Sequence, residues 1–204
     1  MAVDTPNGIE FSIGAKAYLC SGRFLPAAGM MFGYPSPQGP KVDARTLSKG
    51  IFGLTFDWLQ TNNYAQVWPA EEKIGFQRVP VLMVRAAYSG APGFSGKFLE
   101  ATKWADASLV TISTRLLRRV EAPALSFLDD VSAEFVPAGI LTRGGYAAHG
   151  NVWNAEWLTY LQEAWLPEVW EAWQRVHARP DWQVIERNFM HGMALEQHTD
   201  RDDD

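Results

Sequence analysis

Side chains that do chemistry near neutral pH are few in this chain. It holds four histidines, His149, His177, His191 and His198, and one cysteine, Cys20. His149 has the most suggestive surroundings. It sits in GGYAAHGN, just before a helix-like pattern, with Asn151 placed to cap that helix. Loop residues at a helix start are frequent functional positions, and an imidazole there can serve as a general base. Such a base needs a carboxylate to orient it and a cation to clamp an anionic substrate. Asp57, Glu72 and Asp130 are the orienters this reading offers, with an arginine as clamp. The result would be an enzyme of unknown class, hydrolase-like in its chemistry.

The remaining reactive groups form no recognisable set. Glu186, His191, Glu196 and His198 do not share a helical face, and HExxH spacing is absent, so no metal site is expected. Ser95 lies in GFSG, which lacks the spacing of a nucleophile elbow. The loop SGAPGFSG lacks the lysine and spacing of a phosphate cradle, and no cofactor is expected. Glu71-Glu72 and Asp129-Asp130 are adjacent pairs, and adjacent side chains diverge in a strand or a helix. Cys20 is expected to be a small buried hydrophobe, since one cysteine makes neither a disulfide nor a zinc cluster.

Two features point to binding instead. Arg115, Arg118 and Arg119 form one compact basic patch, suited to an anion or an acidic partner. The stretch HGNVWNAEWLTYLQEAWLPEVWEAW holds five tryptophans, Trp153, Trp157, Trp165, Trp170 and Trp173. At helical spacing these rings fall on one side, with glutamates and Gln162 on the other, so they are expected to be core. Trp170 lies nearest the edge and is the surface candidate.

The elements that would carry these residues follow from periodicity. Ile9 to Leu19 alternates apolar and other residues, which predicts a strand. Residues 79–85 and the segment 124–142 also read as strands. Helices are expected near 46–61, with Gly50 and Gly53 weakening that reading, and near 97–105 with Ser95 as cap; 108–119 fits a helix through Leu109, Ile112, Leu116 and Val120, and a strand through the alternation of Val110, Ile112, Thr114 and Leu116. Pro69-Ala70-Glu71-Glu72 reads as a turn or helix start. Pro167 is expected to end the first Trp-bearing helix and to start a second, to about Ala178. A third spans about Asp181 to Leu195. The loops at 26–40 and 89–96 are rich in Gly and Pro.

These elements predict a single α+β domain over residues 1–204. A small antiparallel or mixed sheet is packed by helices, with a Trp-rich all-helical C-terminal third. Residues 151–197 are expected to be helical and 198–204 to be a disordered acidic tail. The net charge is −5, and residues 151–204 carry four Lys/Arg against eleven Asp/Glu. That disfavours nucleic acid as a partner. No stretch is apolar enough to span a membrane, and the N-terminus MAVDTPNGIE has no signal-peptide pattern, so a soluble, cytoplasmic protein is expected. The leading expectation is a non-catalytic protein-binding or assembly protein, with another protein or a second copy of the chain as partner, a homodimer in the simplest case.

Overall fold

The computed structural model describes residues 4–28, 33–117, 122–144 and 151–199. The order is α1 (Ile13–Phe24), β1 (Gly33–Tyr34), β2 (Val42–Asp43), α2 (Ala44–Thr61), β3 (Ala65–Ile74), β4 (Gln77–Ala86), α3 (Gly93–Glu100), β5 (Ala107–Ser108), α4 (Leu109–Leu117), α5 (Pro123–Ser132), β6 (Leu141–Thr142), β7 (Val152–Trp153), α6 (Ala155–His177) and α7 (Trp182–Thr199). All sheet pairing is antiparallel: β1 with β2, β4 between β3 and β5, and β6 with β7. Helices pack around these small sheets, and one contiguous apolar core draws on residues from every helix. Among the described residues, no helix is long and apolar enough to cross a membrane.

The strand expected over 9–19 is instead α1. Ser12 starts it, its hydroxyl accepting from the Ala15 N–H at 3.1 Å. Ile13, Ala15, Ala17 and Leu19 are buried, but so are Gly14, Tyr18 and Cys20. A helix buried on most of its circumference shows no polar stripe, and small residues between apolar ones mimic a period of two. The segment 124–142 is likewise mostly helical. Pro123 occupies the first turn of α5, where its missing N–H does no harm, and only Leu141–Thr142 pairs as a strand.

The turn expected at Pro69 is the middle of β3, a ten-residue edge strand joined to β4 by a Gly75-Phe76 turn. Gly75 has φ 60°, which suits a tight hairpin turn. Pro69 stands opposite Leu82. The Leu82 N–H points away from β3 and donates to Asn188 Oδ1 at 3.1 Å, while Asn188 Nδ2 donates to the Pro80 carbonyl at 3.0 Å. Pro69 therefore turns its missing N–H to the free edge of β3, where a proline is tolerated. On the other side, the buried amide of Asn188 completes the β4 edge beyond the short β5.

The helix expected at 46–61 is α2, started by Asp43 accepting from the Thr46 N–H at 2.7 Å. Its glycines have a packing reason. A Cβ at Gly50 would run into the Trp173 ring, and one at Gly53 into the Trp182 ring. These glycines are seats for two indoles, a contact that helix propensity does not register. The helix expected at 97–105 begins earlier and ends at Glu100, with Ser95 buried inside it rather than capping it. Residues 109–117 are helical, the first of the two readings that fit this segment.

The C-terminal region departs from expectation twice. Trp153 is in β7, opposite Leu141, and helix begins only at Ala155, so residues 151–153 are not helical. The cap is Asn154 rather than Asn151: its side chain accepts from the Glu156 and Trp157 N–H groups. α6 then runs unbroken through Pro167. Leu158, Leu161, Gln162 and Trp165 before the proline are buried, as are Val169, Ala172, Trp173 and Val176 after it. One continuous apolar face packed on α1 and α2 holds the helix across the lost hydrogen bond. Gln162, expected on the polar side, is buried and donates to the Leu19 carbonyl at 2.6 Å. α7 extends to Thr199, so helix replaces the first two residues of the expected tail, and residues 200–204 lie outside the described residues.

Candidate functional site

The predicted catalytic trio is not brought together among the described residues. His149 lies outside them, in 145–150. Asp57 is buried near the end of α2, and both of its oxygens are engaged. Oδ2 accepts from Arg175 Nε at 3.1 Å and Oδ1 from Arg179 Nη1 at 2.6 Å. Arg179 also grips Asp181 with two hydrogen bonds and reaches Gln60 Oε1 at 2.9 Å. This network ties α2 to the turn between α6 and α7, and its charges are matched, as a buried carboxylate requires. Asp130 lies on α5 in a different network, with Lys97 Nζ at 3.7 Å. Glu72 lies on β3, facing α4 across a shallow cleft.

Arg115, the described member of the basic patch, projects from the last turn of α4. Its Nη1 donates to the Ala101 carbonyl at 2.6 Å, capping the end of α3. It lines a cleft of about 430 Å³ with Lys97, Glu100, Lys103 and Asp130, and a second of about 310 Å³ with Glu72, Thr111 and Thr114. Cations and carboxylates alternate around both, so neither has a strongly one-signed lining. Arg118 and Arg119 lie outside the described residues.

The tryptophans divide as helical spacing implies only in part. Trp165 is enclosed, its ring 5.3 Å from Phe11, and Trp173 is seated on Gly50. Trp170 is 44% exposed, with its ring centroid 6.2 Å from that of Phe24. Tyr160, on the same outward face of α6, is 45% exposed. Glu156, Glu163, Pro167 and Glu171 share that face and are exposed. None of these three glutamates has an ion-pair partner among the described residues. Glu168, nearer the packed side, is held by Lys16 at 3.0 Å. The exposed arc of α6 is thus aromatic and acidic, without a lysine or arginine before Arg175, which is committed to Asp57.

Two buried polar clusters escaped the sequence reading. Glu134, in a 3-10 turn at Ala133–Phe135, clasps two helix starts. Its Oε2 accepts from the Ser12 N–H at 3.0 Å, and its Oε1 accepts from Ser12 Oγ and the Phe94 N–H, each at 2.6 Å. Burial raises its pKa above the ordinary carboxylate value, outweighing the opposite pull of these donors and of Lys97. Tyr34 donates to Asp129 Oδ1 at 3.1 Å and receives a long hydrogen bond from Tyr18. Burial pushes Tyr18 to about 12 and Tyr34 further still, so both stay protonated and act as packing groups with satisfied hydroxyls. Burial likewise raises the Cys20 thiol to about 12, which removes it as a nucleophile at neutral pH. No group of three or more metal-ligating side chains occurs among the described residues.

Together these features define a class by architecture: a small mixed α/β fold with antiparallel sheets packed by helices and a Trp-rich C-terminal helical region. The chain matches no protein-family model, no curated protein and no solved structure.

Proposed function

We propose that this chain is a non-catalytic protein-binding or assembly protein, docking another protein or a second copy of itself on the outward face of α6. The observation that carries this reading is the exposure of Trp170 and Tyr160, 44% and 45%, on one helix face. Large rings left half in water, rimmed by polar groups, are what interface anchors look like before the partner arrives. They lie on a helix whose opposite face is rigidly packed, so little ordering is left to oppose association. A cytoplasmic setting fits the one buried, unpaired cysteine.

The test is affinity capture from a cell extract together with sedimentation of the purified protein over a range of concentrations. The wild type is expected to form a complex or a self-associated species. A Tyr160→Ser/Trp170→Ser variant with an unchanged circular dichroism spectrum is expected to lose it. A wild type that stays monomeric and captures nothing, or a variant that captures equally well, overturns the reading.

A further inference from the structure

We infer that the outward face of α6 recognises a basic segment of its partner. A lysine or arginine of that segment donates to the Glu163 carbonyl and the neighbouring carboxylates, while its apolar residues cover Tyr160 and Trp170. This rests on the protein-binding reading above and names the chemistry of the partner. The starting point is Pro167. It lies inside a 23-residue helix with an exposed side chain, so burial of the ring does not explain its presence. A proline inside a helix is strongly destabilising relative to alanine. With no N–H at Pro167, the Glu163 carbonyl lacks its usual donor one turn on. A backbone acceptor left without its helical donor needs a partner from elsewhere.

The side chains around it fit a cation. Tyr160, Glu163, Pro167 and Trp170 recur at spacings of three and four residues, which places them on one stripe. Glu163 and Glu171 flank the free carbonyl without an ion-pair partner among the described residues, whereas Glu168 and Glu186 are held by Lys16 and Lys49. A carbonyl between carboxylates suits an ammonium or guanidinium donor, and the Trp170 ring adds a face on which a cation is favoured. From Tyr160 to Trp170 the stripe spans about 15 Å, which roughly five residues of extended chain can cover. Like charges exclude an acidic segment, and residues 151–204 as a whole are strongly acidic.

Isothermal titration with a short peptide alternating lysine and leucine tests this on the full chain, with the same peptide carrying glutamate for lysine as control. The lysine peptide is expected to bind, more weakly as salt rises, and the glutamate peptide is not. Glu163→Gln/Glu171→Gln is expected to weaken binding about tenfold. Pro167→Ala keeps every other side chain but restores the N–H, and is expected to weaken binding about threefold to tenfold while raising the melting temperature. Failure of the lysine peptide to bind, equal binding of both peptides, or variants that bind as the wild type overturns the inference. If the inference fails while Tyr160→Ser/Trp170→Ser still abolishes complex formation, the docking reading stands and only the partner's charge is wrong. If both fail, the face is not an interface.

Discussion

Glu134 shows how one side chain can hold a local architecture that no motif announces. One carboxylate serves the starts of α1 and α3, two segments about eighty residues apart in sequence. Gly93, whose Cβ would collide with that carboxylate, is the local mark of its approach. Because burial raises the folded pKa of Glu134, its contribution is fully present below the unfolded value near 4.5. It is lost as pH rises through the folded value. Glu134→Gln removes this titration and sets an amide donor against the Ser12 N–H. The variant is expected to be less stable by about 1–3 kcal/mol. The gap to wild type should narrow as pH rises above the unfolded value, read as urea midpoints along a pH series. A gap that widens with pH would mean the three donors outweigh burial.

Elements depend on partners that sequence patterns do not name, and the indole seats on α2 make this concrete. Gly50→Ala should raise helix propensity by about 1 kcal/mol, yet it drives a methyl into the Trp173 ring. Overpacking is the larger effect, and a net loss of about 1–3 kcal/mol is expected in denaturant unfolding. Gly50→Ala/Trp173→Phe should recover part of that loss, and a double-mutant cycle reads the coupling. The same dependence explains which elements were legible. α2, α4 and β4 carry an apolar run or apolar residues at helical spacing that can be read without knowing their neighbours. α1 is packed on nearly all sides, so its pattern lost the helical period. β3 is a half-exposed edge strand with a proline and three exposed polar residues, Gln66, Glu71 and Lys73, a composition that reads as a turn. α6 crosses Pro167 because its buried face continues on both sides, a tertiary effect beyond local rules. Of the candidate site, Trp170 was legible as the edge of a stripe. Tyr160 and the Glu163 carbonyl are not, because Trp153 belongs to a strand rather than to the helix and the helix continues through Pro167, neither of which local spacing reveals.

At the scale of the whole molecule, Cys20 is a built-in reporter. It is fully buried in the core, with its thiol held at about 12 by burial. A thiol reagent is expected to leave it untouched in the native state and to label it at a rate that follows global opening. Labelling progress compared with and without denaturant checks this, and rapid native labelling would show that α1 opens locally. The two ends of the hairpin sheet have a different consequence. Asn188 fills the β4 edge with a side-chain amide, and Pro69 removes a donor from the outer row of β3. An incoming strand finds no continuous ladder on either side. Both edges of the sheet are thus interrupted, which works against edge-to-edge growth at high concentration.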